Sequence, residues 1–231
     1  MGESVTITTP DGDFSAYVAR PAAGTAPAIV VIQEIFGVNQ AMRDSAEWVA
    51  DMGLIAVCPD LFWRIQPGID ITDKSEAEWK KAFELFNAVD VDAGVKDIAA
   101  TIDHVRADAS ASGKVGAVGF CLGGLLAFLT ATRTDVDASA GYYAVGIERH
   151  VAEADKLADP LLLHIAEEDQ FVPKEAQALI VAALKNHPHV ELYTYPGCDH
   201  AFARPGGEHF NAEAAGAANE RTRAFFKKAL S

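Results

Sequence analysis

Hydrophobic and polar residues alternate in blocks along the chain, and these blocks predict strands and helices in turn. Two short segments of alternating pattern, "SVTITT" and "FSAYVARP", flank the turn "PDGD" and predict a β-hairpin. Continuous apolar runs follow, as is typical of strands that are buried on both faces of a parallel sheet. We expect these strands at 26–34, 54–60, 114–120, 138–146, 160–169 and 190–197.

Segments with apolar residues every three or four positions separate these runs and predict helices. We expect helices at 39–53, 76–108 with a break near Asp90, 122–133, 173–187 and 211–230, and a long loop at 61–75. Alternating strands and helices predict one α/β domain over residues 1–231. Its sheet is expected to be mostly parallel and doubly wound, with helices on both faces and an antiparallel start.

Composition and charge exclude several classes of function. A formal net charge of −14 argues against nucleic-acid binding, which depends on Lys and Arg neutralising phosphates. No apolar run is long enough to span a bilayer and the N-terminus lacks a signal-peptide pattern, so we expect a cytoplasmic protein that binds no membrane. We also expect a monomer, although nothing in the sequence specifies the oligomeric state. The three cysteines lack Cys-x-x-Cys spacing, which disfavours a zinc site or a redox dithiol.

One cysteine lies between a predicted strand and a predicted helix. The letters "GFCLG" (119–123) have the form Gly-x-nucleophile-x-Gly, in which a strained turn presents the nucleophile clear of the sheet. The N-terminus of the helix that begins at Leu122 favours a thiolate at Cys121. A buried, unreactive cysteine in a glycine-rich turn explains the same letters equally well. A phosphate-binding loop is disfavoured, because neither Gly-Lys-Ser/Thr nor Gly-x-Gly-x-x-Gly is present.

The order of acidic and histidine residues after this turn, the nucleophile elbow, favours a catalytic role for Cys121. Asp169 lies at the C-terminal end of one predicted strand in "LLLHIAEEDQFVP", and His200 follows the next strand in "YPGCDHAFARP". Acyl-transfer enzymes with this elbow carry the acid and then the histidine in this order. Glu167 and Glu168 compete for the role of the acid, and His164 is expected to be a core histidine inside a strand.

Glu34 ends the first buried strand, in "VVIQEIFGVN". The loop after this strand usually supplies an oxyanion donor. A carboxylate beside a cysteine would also hold the proton of the thiol through a hydrogen bond. A solvated loop carboxylate is the alternative interpretation.

Five motifs along almost the whole chain carry a family resemblance. They are "QEIFGVN" (33–39), "AVCPDLF" (56–62), "GFCLGG" (119–124), "EEDQFVP" (167–173) and "DHAFARP" (199–205). With them the chain resembles the dienelactone hydrolases (carboxymethylenebutenolidases), cysteine members of the α/β-hydrolase superfamily. The resemblance implies the α/β-hydrolase fold and neither a metal nor an organic cofactor.

The resemblance also implies the catalytic machinery. It assigns a triad, an acidic neighbour of the thiol and two backbone oxyanion donors: Cys121, His200 and Asp169; Glu34; and Leu122 and Ile35. In such enzymes the cysteine rests protonated and turned toward the glutamate, and substrate binding frees the thiolate to pair with the histidine. The implied reaction is hydrolysis of dienelactone (4-carboxymethylenebut-2-en-4-olide) to maleylacetate through a thioester.

The substrate-binding residues are implied less completely. Arg204 matches the basic residue that would hold a substrate carboxylate, and a surface arginine is the alternative. Dienelactone-specific members carry a second arginine on the helix after the long loop, where this chain has Trp79 with Lys80 and Lys81 beside it. Either a lysine takes that role or the site prefers another substrate. Two aromatic residues, Phe83 and Tyr142, are expected at the pocket, although helical spacing alone places Phe83 in the core.

Two other functions stay open at this point. A general carboxylesterase or thioesterase would use the same triad on another small-molecule ester. A non-catalytic binding protein would keep the hydrolase fold without acylating Cys121. A redox pairing of Cys121 with Cys198 has no support in the spacing.

Overall fold

The computed structural model describes residues 2–22 and 24–231, and the strands and helices of this part alternate as predicted. The strands are β1 (Glu3–Thr9), β2 (Gly12–Ala19), β3 (Ala26–Ile32), β4 (Ile55–Pro59), β5 (Ala111–Phe120), β6 (Ala138–Tyr142), β7 (Leu161–Ala166) and β8 (Val190–Tyr195). The helices are α1 (Gln40–Asp51), α2 (Glu76–Ala88), α3 (Val91–Arg106), α4 (Leu122–Arg133), α5 (Lys174–Leu184) and α6 (Ala212–Ala229). No helix in the described ranges has the length and apolar character needed to cross a membrane.

The strands β6 and β7 are shorter than the sequence predicts. β6 ends at Tyr142, and Tyr143 adopts a φ of 37°. Residues 143–146, where the pattern predicts more strand, are irregular and lead into two short 3-10 segments. β7 ends at Ala166, so Asp169 lies in the loop that follows the strand. The predicted break near Asp90 is confirmed: its side chain caps α3 by accepting backbone N–H groups of the first turn.

Residue contacts divide the chain into two compact units, one ending at Gly116 and one from Ala117 to Ser231. The strand order is β1-β2-β4-β3-β5 in the first unit and β5-β6-β7-β8 in the second. β5 appears in both because the boundary between the units falls within this strand. The pairs β1–β2 and β2–β4 are antiparallel, whereas β3–β4, β6–β7 and β7–β8 are parallel. The mostly parallel sheet with an antiparallel start is confirmed; a single domain over 1–231 stays a prediction.

In the first unit, the segment between β4 and α2 is the expected long loop, and buried carboxylates hold it in place. Asp97 of α3 accepts a hydrogen bond from Trp63 Nε1 at 2.8 Å and an ion-paired bond from Arg64 Nη2 at 2.8 Å. Asp60 at the start of the loop accepts the Gly68 N–H at 2.7 Å. These bonds satisfy the buried carboxylates and fix the path of the loop.

In the second unit, a buried chain of hydrogen bonds joins α6 to β6, β7 and β8. Its members are Arg221, Tyr195, His164, Thr222, Tyr142 and Asn219. The two ring nitrogens of His164 lie 2.8 Å from the Tyr195 hydroxyl and 2.9 Å from Thr222 Oγ1. Thr222 Oγ1 in turn lies 2.6 Å from the Tyr142 hydroxyl.

All donors of this hydrogen-bond network are satisfied only when every hydrogen bond in it points in the same direction. Burial and the Arg221 charge lower the pKa of His164 to about 3, so its ring is neutral and one nitrogen must accept. Arg221 donates to the Tyr195 oxygen at 2.9 Å, which leaves the Tyr195 hydroxyl to donate to Nδ1 of His164. Nε2–H of His164 then donates to Thr222, and Thr222 donates to Tyr142. The expected core histidine is therefore a fully hydrogen-bonded link in this network.

Removal of the Thr222 hydroxyl tests this network. We expect Thr222→Val to lower the free energy of unfolding by about 1–3 kcal/mol, because Nε2–H of His164 is left buried without an acceptor. For a chain of this size the loss corresponds to a fall in Tm of roughly 2–12 °C. The exposed Thr194 on β8 supplies the control, since Thr194→Val is expected to change stability by less than about 0.5 kcal/mol. Equal stability of the two variants would contradict the network.

Candidate active site

Cys121 lies in a strained turn between β5 and α4. Its backbone has a φ of 57° and a ψ of −115°, a conformation that non-glycine residues rarely adopt. Two hydrogen bonds hold the turn: the Cys121 N–H donates to the Tyr142 carbonyl at 3.1 Å, and the Cys121 carbonyl accepts the Gly124 N–H at 3.0 Å. Leu122 begins α4, and its N–H belongs to the first turn, where helical N–H groups have no intrahelical acceptor.

Two glycines make this turn possible by close packing. A Cβ atom at Gly119 would lie 1.9 Å from the Gly123 carbonyl oxygen, and one at Gly124 would lie 2.7 Å from the Ala144 Cβ. The sequence pattern requires small residues two positions before and after the nucleophile. The structure adds Gly124, which lets α4 approach β6, and thereby explains the last glycine of "GFCLGG".

The structure brings Cys121, His200 and Asp169 together. Nδ1 of His200 lies 2.9 Å from Asp169 Oδ2, and the Cys121 side chain is a hydrogen-bond partner of the same histidine. All three residues are buried, with exposed fractions of 7 %, 6 % and 6 % for Cys121, His200 and Asp169. Of the competing acids, Glu168 is exposed and pairs with Lys174 at 3.0 Å.

The charges of this cluster favour a protonated His200. Burial alone would lower the pKa of His200, but the Cys121 thiolate and the hydrogen bond with Asp169 raise it to about 10. An imidazolium at neutral pH stabilises a thiolate beside it. A pairing of the thiol with this histidine is what the family resemblance assigns to the enzyme with substrate bound.

Two aromatic residues that the sequence did not predict flank the His200 ring. Tyr143 meets it edge-on with ring centroids 5.1 Å apart, and Phe171 does so at 4.8 Å. Phe171 lies two residues after Asp169 in "EEDQFVP". This proximity in sequence could have indicated that Phe171 lies near the His200 ring. Tyr143 gave no signal, because its place depends on the positive φ that ends β6.

In the first unit, Glu34 and Ile35 follow β3 in a loop that is held tightly. Both side chains are buried. The neighbouring Gln33 accepts the Leu61 N–H at 2.9 Å through its side chain. A Cβ atom at Gly37 would lie 2.0 Å from the Ile69 carbonyl oxygen, so this backbone approach requires glycine. The loop that carries the predicted oxyanion donor is therefore rigidly packed.

Helix α2 packs against this loop through Trp79. The Trp79 ring contacts Phe36 edge-on at 5.1 Å and stacks on Phe83 at 5.5 Å. Phe83 is 40 % exposed, so the placement in the core that helical spacing suggests is wrong. Lys80 is exposed and Lys81 is half-buried on the same helix.

The remaining two predicted substrate residues differ in their surroundings. Tyr142 is fully buried, and its hydroxyl is hydrogen-bonded to Thr222 and Asn219. These contacts favour a structural role for the side chain of Tyr142 over contact with a substrate, while its carbonyl holds Cys121. Arg204 is half-buried in the turn after His200.

The model of the dienelactone hydrolase family matches residues 14–230 of this chain. A protein of Azospirillum brasilense provisionally named carboxymethylenebutenolidase is 52% identical over 95% of each chain. The carboxymethylenebutenolidase of Pseudomonas putida is 41% identical over 96% of this chain and 94% of its own.

A crystal structure provisionally titled as a dienelactone hydrolase of Klebsiella pneumoniae has the same fold. It superimposes with a TM-score of 0.86 at 24% identity, covering 99% of this chain and 98% of its own. Fold, family model and relatives agree over nearly the full length. The chain therefore belongs to the dienelactone hydrolase family, whose members are hydrolases of carboxylic esters and lactones.

Proposed function

We propose that this hydrolase opens a carboxylated enol lactone, dienelactone, to maleylacetate through a thioester on Cys121. The observation that carries the proposal is the buried cluster in which the Cys121 thiol, the His200 ring and the Asp169 carboxylate are hydrogen-bonded in series. A thiolate beside an imidazolium is a strong nucleophile at neutral pH. The names of the relatives support the choice of lactone.

The proposed reaction begins with attack of the Cys121 sulfur on the lactone carbonyl. The tetrahedral oxyanion accepts hydrogen bonds from the backbone N–H groups of Leu122 and Ile35. Collapse of this intermediate breaks the ring C–O bond, and the departing enol oxygen leaves as an enolate that needs little acid assistance. The acyl group is then held on sulfur as a thioester, with the former leaving group still attached to it.

Hydrolysis of the thioester completes the cycle. The His200 imidazolium first protonates the enolate carbon, which yields the ketone of maleylacetate and leaves the ring neutral. His200 then takes a proton from water, and the resulting hydroxide attacks the thioester carbonyl and releases the sulfur as a thiolate. The Asp169 carboxylate keeps Nδ1–H of His200 in place throughout, at the 2.9 Å distance seen in the structure. Glu34, a buried carboxylate, is the proposed hydrogen-bond acceptor of the protonated thiol when that thiol is turned away from His200 in the resting enzyme.

Recognition of the substrate carboxylate is assigned to Arg204. Its guanidinium can make two parallel hydrogen bonds with a carboxylate, and it lies in the turn that carries His200. A lysine of α2, Lys80 or Lys81, is proposed as the second cation in place of the arginine that dienelactone-specific relatives carry. The exposed face of Phe83 is proposed to contact the ring of the substrate.

Replacement of the nucleophile tests the reaction itself. We expect Cys121→Ala to lower kcat by about 10⁴-fold or more on dienelactone and on p-nitrophenyl acetate, because no covalent intermediate can form. Cys198→Ala serves as the matched control and is expected to keep wild-type turnover, since this buried thiol has no part in the mechanism. Turnover by Cys121→Ala at the level of Cys198→Ala would refute the thioester pathway.

Replacement of the arginine tests recognition of the carboxylate. We expect Arg204→Gln to raise KM for dienelactone by about 10- to 100-fold, because charge-assisted hydrogen bonds contribute about 1.5–3 kcal/mol. KM for the methyl ester of dienelactone is expected to stay unchanged in this variant. Arg149→Gln, at a side chain that is 81 % exposed, is the control for loss of one positive charge.

The wild-type enzyme also discriminates between the proposed substrate class and a general ester. We expect it to hydrolyse the free acid with a higher kcat/KM than the methyl ester. Equal kcat/KM values for the two compounds, with no effect of Arg204→Gln on either, would point to a general carboxylesterase instead.

A further inference from the structure

Asp169 and His200 reach each other from two separate loops. The loop 167–173 follows β7, and the loop 196–205 follows β8. One backbone hydrogen bond joins the loops directly beside the pair, from the Glu168 N–H to the Cys198 carbonyl at 2.9 Å. A second link is needed to fix both the distance and the angle between two such loops, and the structure supplies it through the side chain of Asp199.

One carboxylate oxygen of Asp199 binds both loops. Oδ1 accepts the Gln170 N–H at 2.9 Å and the His200 N–H at 2.6 Å. Gln170 directly follows Asp169 in the chain, so this oxygen bridges the backbones of the catalytic acid and the catalytic base. The other oxygen, Oδ2, faces the Gln170 side chain at 3.5 Å and His209 at 3.7 Å.

We propose that Asp199 is a positioning residue, whose Oδ1 atom holds the loop of the acid and the loop of the base at the separation that the Asp169–His200 hydrogen bond requires. This inference rests on the proposed function, because it assigns Asp199 a role in the same triad. Asp199 touches neither the substrate nor the thiol in this role. It acts on catalysis through the backbone of its neighbours.

The surroundings of Asp199 indicate that it acts as a hydrogen-bond acceptor and not through its charge. Its side chain is 28 % exposed, and the His209 ring facing Oδ2 is 37 % exposed, so solvent screens the charges of both groups. The two hydrogen bonds to Oδ1 instead need only a hydrogen-bond acceptor at a fixed position. An amide oxygen in the same position can accept both N–H groups, which makes asparagine the conservative replacement.

Four variants separate these roles. Asp199→Ala and Asp199→Ser remove the bridging acceptor, since the serine hydroxyl is too short to reach both loops. Asp199→Asn keeps the acceptor and removes the charge, and His209→Gln removes the facing ring while leaving Oδ1 untouched. The readouts are kcat and KM on p-nitrophenyl acetate, the Tm, and the far-downfield proton signal of His200 Nδ1–H in its bond with Asp169.

We expect Asp199→Ala and Asp199→Ser to lower kcat by about 10- to 100-fold with KM within about twofold, as for other residues that orient a catalytic group. Their Nδ1–H signal is expected to broaden or move upfield. Asp199→Asn and His209→Gln are expected to keep kcat within about threefold and to keep the signal, because both retain an oxygen at the Oδ1 position.

Two results would overturn the inference. The first is an unchanged kcat and Nδ1–H signal in folded Asp199→Ala or Asp199→Ser. The second is an Asp199→Asn variant as impaired as the alanine variant, which would make the charge decisive. The proton signal does not depend on turnover, so it still decides the positioning role if Cys121→Ala proves active and the proposed function fails.

Discussion

The strained backbone of Cys121 is the constraint on which the second unit depends. A non-glycine residue with a positive φ of 57° costs on the order of 1–3 kcal/mol, and it persists only where its surroundings hold it. Here the hydrogen bond to the Tyr142 carbonyl and the close contact of Gly119 with Gly123 hold it. The position of β6 therefore sets the position of the thiol.

The buried network behind β6 carries this constraint to the C-terminal helix. Thr222 of α6 binds both the Tyr142 hydroxyl and the His164 ring, so α6 fixes two adjacent strands of the parallel sheet. The next residue, Tyr143, also has a positive φ, as Cys121 does. Its N–H donates to the His164 carbonyl at 2.8 Å, and its ring lies against His200. The Cys121 thiol and the His200 ring are thus placed by neighbouring residues of one strand end.

Much of this organisation could be predicted from the sequence, because it depends on the order of residues and on local hydrophobic patterns. Apolar runs gave the strands, and the order of Cys121, Asp169 and His200 gave the three residues that the structure brings together. Contacts that depend on backbone dihedral angles or on two loops at once could not be predicted. The bridging carboxylate of Asp199 and the inward orientation of Tyr142 belong to this group, since no periodicity encodes them.

The central claim is that an acyl group resides on the sulfur of Cys121 during turnover. Rapid acid quenching of the enzyme with p-nitrophenyl acetate, followed by mass spectrometry of its peptides, measures this directly. The predicted result is an acetyl group on the peptide that contains Cys121, formed in the burst of p-nitrophenol release and removed by hydroxylamine. Steady turnover with that peptide unmodified, or with the acetyl group on another residue, would contradict the account.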